Sequence, residues 1–287
     1  MSFKQNDIKT TPFVKWAGGK KQLLPDIIMR MPESFNHYCE PFIGGGALLF
    51  NLQPNSAVIN DNNEALINLY KSIKNKPIEL MSYVDVFDKT ISELKDDEES
   101  AKAYYYGLRE QFNKLLLEDR YALETSALFL FINKHCFNGL YRVNNKGLFN
   151  VPFNKSYGPS YVEKNIMNCS EYLRNVDIKN VDFEEACEGC KAGDFIFLDS
   201  PYAPLNPTSF TSYTKEGFSE KDHIRMARLF KKLDERGCYC MMTNHDTKLI
   251  NELYHDYEAT TTRVCVRRSI NSDATNRRGI EVIVTNY

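Results

Sequence analysis

Four consecutive residues, Asp199-Ser200-Pro201-Tyr202, combine types that can act on an amino group. They follow the apolar run Phe195-Ile196-Phe197-Leu198, which has the composition of a short buried strand. An open α/β sheet does its chemistry just past the carboxyl ends of its strands. There the chain would present an anionic carboxylate, a backbone carbonyl next to proline, and an aromatic plate. The Asp199 carboxylate and the Ser200 carbonyl can each accept one N–H. The Tyr202 ring can stack on the planar ring that carries the amino group. This arrangement suits chemistry on the amino group of a nucleobase. The plain alternative is a strand ending in a proline turn.

Two further segments have unusual composition. Glu40-Pro41-Phe42-Ile43-Gly44-Gly45-Gly46 puts three glycines after a short strand. Glycines let the backbone approach a ligand closely, and a following helix start offers free N–H groups. Asp61, at the end of the next strand, can accept hydrogen bonds from ribose hydroxyls. Together they point to a nucleoside-type cofactor. Alone, the glycine turn is equally a tight strand–helix corner. The G-x-G-x-x-G spacing of a nicotinamide enzyme is absent. Phe13-Val14-Lys15-Trp16-Ala17-Gly18-Gly19-Lys20 holds the chain's single tryptophan and two lysines at a helix start. That composition suits a carboxylate or phosphate. A buried tryptophan beside an ordinary glycine turn would look the same.

The elements that must carry these groups follow from periodicity. Lys20 to Met31 reads as a helix, with Leu23, Leu24, Ile27, Ile28 and Met31 on one face and Pro32 ending it. His37 to Phe42 reads as a strand, Ala47 to Leu52 as a helix, and Ala57 to Asp61 as a buried strand. Glu64 to Ile73, Pro77 to Phe87 and Leu123 to Lys134 read as helices. Asn138 to Phe153, with Asn-Asn-Lys-Gly between apolar-aromatic runs, reads as a hairpin or projecting loop. Strand character returns at Asn180 to Phe183 and Phe195 to Leu198. A helix over Glu220 to Arg236 follows, then strands at Cys238 to Thr243 and Ile280 to Thr285. The second α/β half needs the first to complete a sheet. The expected architecture is therefore α/β: residues 1–67 and 160–287 form one sheet domain, and 68–159 form a mainly helical insertion with a hairpin near 138–153.

The 287 residues carry 36 basic and 38 acidic side chains, a net charge of −2. Binding to phosphates needs local positive charge, and net charge does not exclude it. Arg263, Arg267, Arg268, Arg277 and Arg278 supply such a cluster. The acidic block from Glu93 to Glu99 reads as a solvated helix face or loop. No apolar run is long enough to cross a bilayer, and the N-terminus lacks a signal-peptide core, so a cytoplasmic location is expected. Cys187-x-x-Cys190 has no second pair at zinc-finger spacing; free thiols and no metal are expected.

FVKWAGGK, EPFIGGGA, the Ile59-Asn60-Asp61 triplet, FNGLYRVNNKGLFNVPF and DSPYAP stand in the order found in Dam-type DNA adenine-N6 methyltransferases, which this chain resembles. The resemblance extends through Phe210-Thr211-Ser212-Tyr213, Asn244-His245-Asp246-Thr247 and Val266-Arg267-Arg268-Ser269-Ile270. It covers nearly the whole chain. The segment order is that of the α group: cofactor motif, recognition insertion, catalytic motif.

The resemblance implies a Rossmann-like methyltransferase sheet with an inserted DNA-recognition domain. It also implies S-adenosylmethionine as cofactor, duplex DNA carrying GATC as substrate, and base flipping. By the same resemblance, Asp199, Ser200, Pro201 and Tyr202 would be catalytic. Trp16, Ala17, Lys20, Glu40, Phe42, Gly44, Gly45, Gly46, Asp61, Asp182, Phe183 and Asp199 would bind cofactor. Lys15, Phe137, Asn138, Leu140, Arg142 and Pro152 would meet DNA. Arginine and lysine can donate to guanine in the major groove, and an apolar side chain can pack on the thymine methyl. Two positions depart from the family: Phe137 stands where tyrosine is usual, and Ser200 replaces the first proline of Asp-Pro-Pro-Tyr. Serine keeps the carbonyl and loses the fixed φ of proline. A cognate restriction endonuclease is a possible partner, and the oligomeric state is open. Rival readings are a homologue that binds DNA without catalysis and a methyltransferase acting on RNA or protein glutamine.

Overall fold

Short apolar runs become strands of one sheet: β1 (Tyr38–Glu40), β2 (Ala57–Asn60), β3 (Val176–Lys179), β4 (Phe195–Leu198), β5 (Tyr239–His245), β6 (Thr261–Arg267) and β7 (Arg278–Thr285). A computed structural model describes them within residues 9–16, 20, 22–205, 217–267 and 278–287. Ala17, Gly18, Gly19, Phe210 to Tyr213, Arg268, Ser269, Ile270 and Arg277 lie outside the described residues. The strand order is β3-β2-β1-β4-β5-β7-β6. The first five strands are parallel; β7 runs antiparallel to both β5 and β6. This is the expected α/β class, a Rossmann-like methyltransferase sheet.

The order decides where a site can form. From β1 the chain moves outward to β2; from β4 it moves the opposite way to β5. Yet β1 and β4 are neighbours, with Tyr38 opposite Phe195 and Cys39 opposite Ile196. The crevice at their carboxyl ends is the switch point where ligands of such sheets bind. Glu40 ends β1, and Asp199 follows β4 directly.

Helices cover both faces. Helices α1 (Leu24–Met29), α2 (Ala47–Leu52), α3 (Glu64–Asn75) and α7 (Glu163–Leu173) pack with the insertion helices α4 (Pro77–Glu93), α5 (Glu98–Glu118) and α6 (Leu123–His135). One hydrophobic cluster runs from Ile59, Phe195 and Phe197 of the sheet to Leu80, Tyr105, Phe112 and Phe131 of the insertion. Helix α6 is buried along nearly its whole length, so it forms the insertion's axis. Helix α3 continues unbroken through the 67/68 junction. On the opposite sheet face, α8 (Phe183–Ala186), α9 (Glu220–Glu235) and α10 (Lys248–Leu253) cover a second cluster around Ile196, Leu198, Met226, Phe230 and Met242.

Several expectations need correction. The strand expected at Asn180–Phe183 lies earlier, as β3. Asp182 instead caps α8, its Oδ1 accepting from Glu184 N at 3.0 Å. Strand β3, Val-Asp-Ile-Lys, is a four-residue sheet edge with buried Val176, half-buried Ile178 and two charged residues, so its apolar signal is short and weak. The first helix starts at Leu24 rather than Lys20, because Pro25 favours the first helical turn. The acidic block around Asp97 is solvated as expected, part loop and part helix. It joins α4 to α5 and forms the first turn of α5, where Asp97 accepts from Ser100 N at 3.1 Å.

Candidate active site

A cleft of about 1850 Å³ opens at the carboxyl ends of β1, β2 and β4; Lys20, Glu40, Gly44, Asp61, Asp199 and Tyr202 all line it. At its floor, Asp199 Oδ1 accepts from Lys20 Nζ at 2.8 Å and from Thr243 Oγ1 at 2.6 Å. Lys20 is almost fully buried, so its charge is matched where it would otherwise be costly. The same ammonium lies 4.4 Å from the centroid of the Tyr202 ring. Tyr202 donates to Glu281 Oε2 at 2.9 Å and meets the His245 ring edge-on at 4.8 Å. Burial, then Asp199 and Glu281, push the Tyr202 phenol well up, so it stays a neutral donor. Ala203 is fixed on both sides: its N–H donates to Asn244 Oδ1 at 2.8 Å, and its carbonyl lies 2.8 Å from His245 Nδ1. Ser200 is buried, and among the described residues its hydroxyl makes only long contacts, to the Pro201 carbonyl at 3.3 Å and from Asn244 Nδ2 at 3.5 Å.

The glycine turn forms the facing wall. Gly44 and Gly46 have φ of +47° and +70°, which side chains rarely adopt. A Cβ on Gly44 would come within 2.7 Å of the Trp16 ring, and one on Gly46 within 2.6 Å of the Tyr70 hydroxyl. Trp16 therefore rests directly on the turn. Asp61 is held by two backbone amides, Gly44 N to Oδ2 at 3.0 Å and Asn63 N to Oδ1 at 2.9 Å. Each oxygen keeps a further lone pair for a ligand hydroxyl. Burial raises the Asp61 carboxyl, with these amides opposing the shift. Glu40 is buried and accepts from Tyr38 Oη at 2.7 Å; burial is also the main cause of its strongly raised carboxyl.

The rim beyond β3 is aromatic and charged. Phe42, Phe183 and Phe218 pack together, with ring centroids 5.3 to 6.0 Å apart. Arg225 lies over Phe183 at 4.6 Å and donates to Asp182 Oδ1 at 2.7 Å and Glu184 Oε1 at 3.0 Å. Asp182 is thus both a helix cap and an ion-pair partner.

The candidate DNA contacts gather on one hairpin module. Phe137 N donates to the Pro152 carbonyl at 2.8 Å, and bridges at Cys136–Phe153 and Val143–Phe149 close the hairpin. Asn138 has φ +56° and lines the cleft together with Lys15. Lys15 packs so closely on Gly139 that a Cβ there would lie 2.3 Å from the Lys15 Cβ. Phe137 is exposed, Leu140 half-buried. Exposed Arg142 donates through Nε to Asn150 Oδ1 at 2.8 Å, which orients its guanidinium. Among the clustered arginines, Arg263 is held by Glu258 at 2.9 Å and Asp246 at 3.5 Å.

Sequence reasoning missed the residues that hold these parts together. Buried Asn133 accepts from Lys15 N at 2.8 Å and donates to the carbonyls of Lys15 at 2.8 Å and Gly139 at 3.1 Å. It clamps the Trp16 segment to the hairpin. Buried Asn60 bonds Pro41 and Val181, tying the ends of β1 and β2 to the chain after β3. Tyr141 stacks on Trp16 at 5.7 Å and so joins the hairpin to the glycine turn. Thr243 and Glu281, on β5 and β7, complete the Asp199–Tyr202 grip. A polar residue inside an apolar strand, as at Asn60 and Thr243, is the one signal that could have marked them.

Comparison with known proteins gives this architecture its class. Residues 16–270 match the family of D12 class N6 adenine-specific DNA methyltransferases. The chain belongs to that family and is an enzyme of that type. It is 42% identical over 288 residues to the type II methyltransferase M1.LlaDCHI of Lactococcus lactis subsp. cremoris, covering 99% of this chain and 98% of that protein. It is 40% identical over 299 residues to the type II methyltransferase M.MjaIII of Methanocaldococcus jannaschii, covering 98% and 100%. The DNA adenine methylase of Escherichia coli K12 is 31% identical over 280 residues, covering 97% and 96%.

Proposed function

We propose that this enzyme methylates adenine N6 within GATC in duplex DNA, using S-adenosylmethionine and a flipped-out target base. The observation that carries the reading is the shared cleft: the Asp199–Tyr202 grip faces the Gly44–Asp61 cradle across it. The cradle fits the cofactor chemically. Asp61 has acceptor capacity for two ribose hydroxyls, Phe42 and Phe183 offer apolar faces to an adenine ring, and Lys20 suits a carboxylate. When bound, S-adenosylmethionine supplies an electrophilic methyl group on sulfur.

The chain's own residues do the rest. Asp199 and the Ser200 carbonyl accept hydrogen bonds from the two N–H groups of the target amino group, which directs the nitrogen lone pair toward the methyl; as the N–C bond forms and the methyl–sulfur bond breaks, one N–H proton leaves by way of Asp199. Thr243 and Lys20 hold the Asp199 carboxylate in place. Tyr202, anchored by Glu281, offers its ring to the base. A base in the duplex stack cannot reach this depth, so the adenine must leave the helix. Positioning and oriented acceptors supply the acceleration.

Residues 68–159 would form the recognition domain, with Lys15, Phe137, Asn138, Leu140, Arg142 and Pro152 at the DNA face. GATC rests on the resemblance of the hairpin sequence. A cytoplasmic location fits a DNA-modifying enzyme, and among the described residues no helix is long and apolar enough to cross a membrane. The test is long-read methylation mapping of plasmid DNA from a methylation-deficient host expressing the protein. N6-methyladenine at every GATC is expected. Methylation at another site would overturn the specificity, and none at all would favour a binding-only homologue.

A further inference from the structure

Five of the eight cysteines, Cys39, Cys187, Cys190, Cys238 and Cys240, belong to the apolar cluster on the α9 face of the sheet. Three of them converge. The Sγ atoms of Cys39, Cys187 and Cys190 all lie within 4.8 Å of one another. Cys39 is in β1. Cys187 is the C-cap of α8, and Cys190 N donates to its carbonyl at 3.1 Å, which folds the C-x-x-C into a tight turn. Cys39 and Cys187 are buried; Cys190 is partly exposed.

Mutual contact is a poor use of three thiols. S–H is a weak donor and sulfur a weak acceptor; the Cys39 thiol lies 4.0 Å from the Ala186 carbonyl, a long contact. For a thiophilic ion the same placement is favourable. Ligands at a Zn–S distance of about 2.3 Å in tetrahedral geometry stand roughly 3.8 Å apart. Closing the observed separations takes shifts of an ångström or less.

We propose that Cys39, Cys187 and Cys190 form a three-thiolate site for a thiophilic d¹⁰ metal ion such as Zn²⁺, with the fourth position on the Cys190 side, where the cluster reaches solvent. None of the three lines the active-site cleft. The ion would act structurally, pinning β1 to the connection between α8 and β4. Cys39 directly precedes Glu40, and that connection leads into the strand before Asp199, so one ion would stiffen both strands at the switch point. From sequence alone the C-x-x-C lacked further ligands, because the third thiolate comes from a distant strand.

The test uses the full-length, reduced, metal-free protein. Titration with Co²⁺ should show one equivalent bound, with a thiolate-to-cobalt charge-transfer band that Zn²⁺ abolishes by displacement. Zn²⁺ should also raise the melting temperature. Cys190→Ser, at a partly exposed position, should remove the band or weaken Co²⁺ binding at least tenfold (~1.4 kcal/mol). Cys265→Ser, on exposed Cys265 of β6, should leave binding unchanged. Absence of stoichiometric binding by the reduced protein, or a band that survives Cys190→Ser, would overturn the proposal. Should Cys190→Ser fail to fold, X-ray absorption of the Zn²⁺-loaded wild type decides: three sulfur ligands support the site, fewer refute it.

Discussion

Asp199 carries the sharpest residue-level expectation. Its carboxylate is oriented by Lys20 and Thr243 and is proposed to matter mainly in the transition state. Asp199→Ala should cut single-turnover methyl transfer by at least about 100-fold, the scale of removing one preorganised partner. DNA and cofactor affinity should change only a few-fold. Transfer near the wild-type rate would end this assignment. Asp61→Ala should weaken S-adenosylmethionine binding by about 1–3 kcal/mol, the range for lost charge-assisted bonds. Calorimetry on the folded variant reads this directly, and an unchanged Kd removes Asp61 from the ribose site. Ser200 tests the departure from the family pattern. Among the described residues its hydroxyl makes only long contacts, and the proposed acceptor is its carbonyl. Ser200→Pro should therefore leave methyl transfer within about threefold of wild type, since proline alters φ and the N–H but not that carbonyl. Transfer by the proline variant alone would mean that serine disables the natural site.

At the scale of elements, the hairpin from Phe137 to Phe153 is the unit that reads DNA in this proposal. Its base is clamped by Asn133, and its Tyr141 stacks on Trp16, which itself rests on the glycine turn. Recognition and cofactor cradle thus share one packed block. Arg142 projects from this hairpin with its guanidinium held by Asn150. Arg142→Ala should relax discrimination at one base pair of the site by roughly 1–3 kcal/mol. Methylation rates on a panel of single-base variants measure it. Equal loss on every variant would make Arg142 a phosphate contact.

The whole molecule depends on pH through a residue outside the chemistry. His223 is buried in the first turn of α9 against Phe218, and neither ring nitrogen has a partner among the described residues. Burial, opposed only by Asp222, lowers its pKa from 6.5 to about 4. Between those values the unfolded chain takes up a proton that the folded chain refuses. Stability contributed by neutral His223 is therefore present above pH 6.5 and is lost as pH falls toward 4. The loss should be of order 1–3 kcal/mol. Urea unfolding at pH 7 and pH 5 should show it for the natural protein and a smaller difference for His223→Leu. An identical slope in both would place the pH dependence elsewhere.

Local patterning determined much of this protein. The strand at Phe195–Leu198 and the helix at Ala47–Leu52 were legible to the residue, because apolar runs and periodicities are local properties. The three segments at Trp16, Gly44 and Asp199 also stood out by residue type, and it is the fold that brings them to one cleft. Edge strands β3 and β6 were not legible: a half-exposed strand needs few apolar residues, so propensity has little to report. Nor were Asn60, Asn133, Thr243 and Glu281, which act across separations that sequence spacing does not encode. Tertiary structure decided these, because a buried polar atom must find a partner wherever the fold brings one. The same holds for Cys39. It joins Cys187 and Cys190 only because the strand order sets β1 beside β4, and hydrogen-bonded strand pairing, rather than nearness in the chain, sets that distance.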